Sequence, residues 1–265
     1  MLISLVVYCL LGAIAGVLAG LLGVGGGIVI VPMLVFAFGW QNFPPDVLML
    51  MALGTSMGSI MFTSISSSLA HSRNKGVQWD AVRNITPGIL IGTFCGSFLA
   101  SHVPARFLQL FFVAFLFFVI TQMLSGKKPK PSRHLPGLGG MSVAGGIIGV
   151  VSSLVGTGGG TLSVPFLLWN NLDMRKAIGT SAAIGFPIAV AGTLGYIVGG
   201  WNAPGLPAGC VGFVNLMAFF GIAAASFMTA PIGARLSHSL PTAKLKKGFA
   251  VFLIIVALRM LVGLF

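Results

Sequence analysis

Long runs of apolar residues, separated by short polar segments, extend along almost the whole chain. In the first half they lie at about Leu2–Leu22, Ile28–Phe38, Val47–Ala70, Ile85–Ala100 and Phe107–Leu124; in the second half, at about Leu138–Val155, Leu162–Trp169, Ala177–Val198, Val211–Ala234 and Phe249–Leu264. A helix needs about 20 residues to cross a bilayer core. The second run of each half is too short and is predicted to form a hairpin with the run before it. The pattern predicts ten helical segments and is compatible with eight or ten crossings.

The composition is that of a polytopic membrane protein. Hydrophobic residues make up 56% of the chain, charged residues only 7%, and the mean hydropathy is +1.03. These values exclude a soluble globular domain, because such domains carry about 25% charged residues. We expect one all-α membrane domain in three parts: a first membrane repeat over residues 1–125, a basic cytoplasmic linker over 126–136 and a second repeat over 137–265.

Two sequence elements recur in both halves. Gly23-Val24-Gly25-Gly26-Gly27, followed by Pro32, returns as Gly156-Thr157-Gly158-Gly159-Gly160, followed by Pro165. Further on, the segment Ala52–Ser56 (ALGTS) returns as Ala177–Ser181 (AIGTS). Such internal duplication is typical of transporters in which helices broken at membrane depth form the substrate site.

The charges indicate how the repeats are oriented. The formal net charge of +12 does not indicate nucleic-acid binding, because Lys and Arg occupy short segments between apolar runs rather than one soluble face. If the linker is cytoplasmic, thirteen of the fifteen Lys and Arg lie on the cytoplasmic side, and only Arg106 and Arg259 on the other. This bias predicts two halves of inverted orientation, with both termini outside and the lipid bilayer around them.

The triple glycines are candidate anion ligands. A helix that begins inside the membrane presents unpaired N–H groups and the positive end of its dipole. Glycine lets an anion approach those groups closely. We therefore assign the substrate site to Gly25, Gly26, Gly27, Gly158, Gly159 and Gly160. For the upstream glycines Gly12, Gly16 and Gly20, spaced by four, close helix packing is the better interpretation.

Hydroxyl side chains near these glycines are the second set of candidates. Thr55 and Ser56 recur as Thr180 and Ser181, and Thr157 and Thr161 lie in or beside the second glycine cluster. Such hydroxyls in an apolar helix bond either to their own or a neighbouring helix or to a ligand. The sequence leaves both possibilities open, and we add these six residues to the predicted substrate site.

No catalytic, cofactor or metal site is predicted. The carboxylates Asp46, Asp80 and Asp173 lie at segment ends, as do the four histidines, which argues against a buried proton relay. The segment Gly54–Gly58 matches the Gly-x-Ser-x-Gly pattern of serine hydrolases, but that chemistry needs a general base near Ser56. We therefore expect a protein that is not an enzyme.

The doubled Gly-x-Gly-Gly-Gly-x-x-x-x-Pro element, with a Gly-Thr-Ser segment after each copy, resembles the TauE/SafE family of membrane transporters. The resemblance covers essentially the whole chain. It implies export of a small sulfur-containing anion, sulfite or an organosulfonate such as sulfoacetate, across the bacterial inner membrane. Combined with the repeats, it predicts a secondary transporter that works by alternating access. The alternatives are a passive anion channel and a transporter of another small anion.

Overall fold

The computed structural model describes residues 2–22, 26–125, 135–239 and 242–263. These ranges contain ten helices and one short β-hairpin. The helices are α1 (Leu2–Leu22), α2 (Gly27–Trp40), α3 (Pro45–Arg73), α4 (Trp79–Ala100), α5 (Ala105–Ser125), α6 (Leu138–Val155), α7 (Gly160–Trp169), α8 (Met174–Gly199), α9 (Leu216–Ser239) and α10 (Thr242–Val262). The strands are β1 (Cys210–Val211) and β2 (Val214–Asn215). Most of the predicted linker lies outside the described residues.

The predicted all-helical membrane fold is confirmed, with each of the ten apolar runs forming a helix. Six helices are long and apolar enough to cross a membrane: α1, α3, α5, α6, α8 and α9. Helices α2 and α7, with 14 and 10 residues, extend for only about 21 and 15 Å. The protein is therefore a multi-pass membrane protein with two short helices among its spans.

The ninth helix begins later than predicted. The apolar run from Val211 was expected to be helical, yet α9 starts at Leu216 and the preceding residues form the β-hairpin. Cys210 pairs with Asn215, and Val211 pairs with Val214. Gly212, in the turn, has a φ of +54°, a conformation that glycine adopts easily and that does not continue a helix.

Helices α1 and α2 form the predicted hairpin. The chain reverses at the first glycine cluster, so that the end of α2 returns to the beginning of α1. There Gln41 Nε2 donates a hydrogen bond to the Tyr8 hydroxyl at 2.7 Å. The same end of the bundle therefore holds the start of α1 and the end of α2.

The most extensive helix–helix contacts correspond when α1–α5 are exchanged for α6–α10. Helix α1 packs along α9, and α6 packs along α4; likewise α2 contacts α3, and α7 contacts α8. Helix α3 packs against α9 as α8 does against α4, while the pairs α3–α8 and α5–α10 map onto themselves. Helices α3 and α8 form the central pair. In their most apolar 18-residue stretches 78% and 67% of the residues are buried, against 33–39% in the other four spans.

The glycines upstream of each cluster bring helix backbones together. A Cβ atom at Gly16 of α1 would lie 2.7 Å from Ser226 Cα of α9. In the second half, a Cβ at Gly149 of α6 would lie 2.8 Å from Thr93 N of α4. Both distances are too short for any side chain. The predicted packing role of the spaced glycines is confirmed.

Candidate functional site

Both glycine clusters turn the chain in the same way. Gly26 and Gly159 have φ angles of +76° and +75° and directly precede α2 and α7. The carbonyl oxygen of each accepts the N–H groups of the residues three and four positions later, at 2.7–3.0 Å. This left-handed conformation is unfavourable for residues with a Cβ, which explains glycine at both positions.

Each turn is followed by a helix whose first N–H groups have no acceptor within that helix. These groups belong to Gly27 and Ile28 in α2, and to Gly160 and Thr161 in α7. Ile28 is fully buried and Thr161 is 6% exposed. Two helix N-termini, with the positive ends of their dipoles, therefore begin inside the bundle.

The two glycine clusters meet at the centre of the molecule. A Cβ at Gly27 would overlap the Gly156 carbonyl oxygen and lie 2.8 Å from Thr157 Cα. From α3, Ser56 Oγ donates a hydrogen bond to that same Gly156 oxygen at 2.8 Å. The structure thus brings together the predicted residues Gly26, Gly27, Ser56 and the cluster around Gly158. Gly25, with Gly23 and Val24, lies outside the described residues.

Thr55 and Thr180 hold the starts of two helices. Thr55 Oγ1 accepts the N–H of Asn215, just before α9, at 3.0 Å. Thr180 Oγ1 accepts the N–H of Gln78, just before α4, at 2.9 Å. The two bonds correspond under the exchange of halves. The sequence left two roles open for these threonines, a hydrogen bond within the protein or one to a ligand. The structure shows a hydrogen bond to the backbone of another segment in both cases.

Four hydroxyl groups on or beside the second cluster have no hydrogen-bond partner within the described part of the chain. They belong to Thr157 and Thr161, both predicted, and to Ser64 and Ser152, which the sequence analysis did not select. All four are buried, with exposures of 0, 6, 2 and 0%. Ser181 is also buried, on α8. Unsatisfied buried hydroxyls are uncommon in folded proteins and indicate a place for a polar ligand or water.

Contacts with glycine place the two unpredicted serines at the second cluster. A Cβ at Gly159 would lie 3.3 Å from Ser152 Oγ. A Cβ at Gly185, on α8, would lie 2.7 Å from Ser64 Oγ and 3.3 Å from the Gly158 carbonyl oxygen. One sequence signal was available for Ser64: it lies in a run of hydroxyl residues, Thr63 to Ser68, within an apolar helix.

Charged groups lie at helix ends, away from the glycine clusters. Asp46 and Asp80 occupy the first turns of α3 and α4, and Asp173 directly precedes α8. His71, placed at a segment boundary by the sequence, is in the last turn of α3 and only 4% exposed. It is 15 residues from Ser56 along the helix, about 22 Å, too far to act as its general base.

A cavity of about 930 Å³ opens at the end of the bundle where α3 begins and α4 ends. Its lining includes Asp46, His102, Arg106 and Gln109. This is the face that the loop charges predict to lie outside the cytoplasm. Arg106, one of the two cations predicted for that face, is among the residues that line the cavity.

Comparison with known proteins agrees with this architecture. The family model described as "Sulfite exporter TauE/SafE" matches residues 8–260. A probable membrane transporter protein of Haemophilus influenzae is 41% identical over 261 residues, covering 97% of this chain and 98% of its own. The probable membrane transporter protein YdhB of Bacillus subtilis is 27% identical, with 96% of each chain covered. No solved structure matches. The chain belongs to the TauE/SafE family of membrane transporters.

Proposed function

We propose that this protein is a secondary carrier that exports a small sulfur-containing anion, sulfite or an organosulfonate such as sulfoacetate, across the bacterial inner membrane. The observation that carries the proposal is that α2 and α7 both begin inside the bundle at buried glycine turns, and that Gly27, at the start of α2, lies against Gly156 and Thr157 of the second glycine cluster. The first-turn N–H groups and the dipoles of α2 and α7 favour negative charge.

The surroundings support an anion rather than a cation. The described acidic side chains are at helix ends, and the unpaired side-chain groups beside the second cluster are neutral hydroxyls, with the carbonyl oxygens of Gly156 and Gly158 nearby. A buried anion is stabilised by hydroxyl and N–H donors, and the described carboxylates that could neutralise a cation lie elsewhere. In this proposal, the glycine clusters with Thr157 and Thr161 contact the substrate, while Thr55, Ser56, Thr180 and Ser181 hold the surrounding helices.

The exchangeable helix packing supports transport by alternating access. Together with the loop charges, it favours two inverted repeats around the α3–α8 centre. The hydrogen bonds that Thr55 and Thr180 accept from backbone N–H groups, here called the braces, fit this scheme. Thr55 holds a loop on the predicted outer side, and Thr180 holds the equivalent loop on the cytoplasmic side. Equivalent structures at both ends allow the site to open to each side in turn.

The test is transport by purified protein in liposomes. We expect saturable uptake of radiolabelled sulfite or sulfoacetate, and counterflow of labelled substrate when the liposomes are preloaded with unlabelled substrate. Protein-free liposomes are the control. Ion-channel conductance would instead show a passive channel, and no flux of any tested anion would overturn the proposal. Loss of transport on replacing Gly26 or Gly159 by valine would not identify the site. Both glycines have positive φ, so valine would strain the fold itself.

A further inference from the structure

We call α1, its glycine turn and α2 the first hairpin, and α6, its glycine turn and α7 the second hairpin. The two differ in chemistry at equivalent positions. At four positions near its glycines the second hairpin has a hydroxyl side chain where the first has an apolar one. The central helices differ at an equivalent position too, but there the hydroxyl belongs to the first half of the chain: α3 has a serine where α8 has an alanine. The equivalent pairs are Ala19 and Ser152, Val24 and Thr157, Ile28 and Thr161, Ile30 and Ser163, and Ala189 and Ser64.

Contacts around the two turn glycines show this difference directly. A Cβ at Gly26 would meet Ala19 Cβ at 3.3 Å and Ile30 Cδ1 at 3.5 Å. A Cβ at Gly159 would instead have hydroxyl oxygens of Ser152 and Ser163 at 3.3 Å each. Ser163 Oγ bonds to the Gly159 carbonyl oxygen, so Ser152 holds the unused hydroxyl of that pair. Each turn also has one neighbour of the other kind, the Ala15 carbonyl oxygen at Gly26 and the Ile188 side chain at Gly159, so the difference lies in the hydroxyl side chains that only the second turn has.

One pair of equivalent positions in the central helices differs in the same sense, although Ile188 of α8 contacts the second turn at Gly159. The side chain of Ile60 on α3 fills the space beside the first hairpin, since a Cβ at Gly27 would be 2.8 Å from Ile60 Cδ1. The equivalent residue of α8 is Gly185, beside which lie Ser64 Oγ and the Gly158 carbonyl oxygen. The exchange of isoleucine for glycine removes bulk beside unpaired hydroxyl groups.

We propose that the anionic group of the substrate binds at the second hairpin only, with the hydroxyls of Ser64 and Ser152 as ligands alongside those of Thr157 and Thr161 and the N–H groups of Gly160 and Thr161. The first hairpin contributes the facing helix N-terminus and apolar packing, without side-chain ligands. This inference rests on the proposed function and adds to it the two serines and a fixed orientation of the substrate.

The donor set also selects among anions. Four hydroxyls and the N–H groups of Gly160 and Thr161 make six donors. A carboxylate offers about four lone-pair sites, so two donors would stay unpaired when it binds, whereas an anionic group with three oxygens has acceptors for all six. Because unpaired buried donors are unfavourable, the site prefers a sulfonate to a carboxylate of equal size.

The experiment measures binding of methanesulfonate and acetate to purified protein by calorimetry. Wild-type protein should bind methanesulfonate more tightly than acetate. Ser64→Ala, Ser152→Ala and Thr161→Val should each weaken methanesulfonate binding about tenfold or more, because each removes a hydrogen bond to a charged ligand. Thermal unfolding without ligand should show no loss of stability in the two serine variants, since neither hydroxyl has a partner to lose.

Two matched controls separate the site from general effects. Ser59→Ala removes a buried α3 hydroxyl that already bonds to the Thr55 carbonyl oxygen, and Ile28→Val alters the first-hairpin equivalent of Thr161. Both should keep wild-type affinity. Unchanged affinity in Ser64→Ala and Ser152→Ala, or equal weakening by Ile28→Val and Thr161→Val, would overturn the asymmetric site and leave the proposed function standing. Failure of wild-type protein to bind or transport any oxyanion would remove the proposed function itself.

Discussion

The first and second hairpins share a backbone and differ in what surrounds it. Gly26 and Gly159 have φ angles within one degree of each other and accept equivalent hydrogen bonds. The side chains around the first are alanine and isoleucine, whereas the second has two serines beside one isoleucine. Duplication has kept the geometry that begins a helix inside the membrane, while divergence has concentrated side-chain donors on one side. The glycine turn occurs in both halves, whereas the hydroxyl side chains beside it occur in one, so the turn does not depend on them.

The largest effect is expected where the hairpins touch. Gly27→Ala places a methyl group against the Gly156 carbonyl and Thr157 Cα, main-chain atoms that cannot rotate away. Overpacking of this kind lowers the free energy of unfolding by about 1–3 kcal/mol or more. Thermal unfolding in detergent should show a clear loss of stability. Gly139→Ala is the control, because a Cβ there meets no atom within 4 Å. A stable Gly27→Ala protein would contradict the close contact of the hairpins.

A smaller effect is expected from the two braces, which test how closely the halves correspond. Thr55→Val and Thr180→Val each remove the acceptor of a backbone N–H while keeping the side-chain shape. The loss should be about 1–3 kcal/mol when the stranded N–H is buried. Thr55→Val should be the more damaging, because its bond to Asn215 is fully buried and that of Thr180 to Gln78 is only partly so. Chemical denaturation of both variants measures the order, and a larger loss in Thr180→Val would contradict it.

The smallest effect on stability is expected from the residues that directly precede α9 and α4, which are equivalent in the two halves. Asn215 Oδ1 accepts the N–H of Ala218 at 3.0 Å, a helix cap, whereas Gln78 makes no side-chain cap. Asn215→Ala should therefore lower stability by about 1 kcal/mol, and Gln78→Ala by less. Equal losses would show that the asparagine cap contributes nothing measurable.

The same variant has a second readout at Cys210. Burial raises the pKa of the Cys210 thiol, and the hydrogen bond from Asn215 Nδ2, at 3.6 Å, opposes that rise. Asn215→Ala should raise the pKa further, because the thiolate loses a donor. In a background with Cys9 and Cys95 replaced by serine, alkylation of Cys210 should need a higher pH in this variant. An unchanged pH profile would show that the bond does not reach the thiol.

Most of the fold could be predicted because the membrane imposes it. Apolar runs separated by polar segments locate all ten helices, and repeated glycines locate both turns. The β-hairpin at Cys210–Asn215 could not be predicted from hydrophobicity, since Val211, Phe213 and Val214 are as apolar as the helix that follows. What stops the helix there is local: the turn at Gly212 and strand pairing across it.

The candidate site was predictable only in its repeated part. Repetition selects Gly26, Gly159, Thr55 and Thr180, which proved to be the turns and the braces. The partner of Thr55 is 160 residues away, so no local pattern distinguishes a brace from a ligand. Ser64 and Ser152 have apolar equivalents, and a search for repeats discards such positions. The differing positions can be read from the aligned repeats, but only the structure shows that Ser64 and Ser152 lie beside the second cluster without hydrogen-bond partners.

The contact between Gly27 and Gly156 is made by main-chain atoms, with no side chain between them. Displacements between helices are commonly absorbed by rotamer changes of long side chains, and none is available at this point. A shift of one hairpin is therefore transmitted to the other at its full amplitude. The two halves are in direct main-chain contact at their centre, and in the proposed carrier this contact would couple movement of one half to the other.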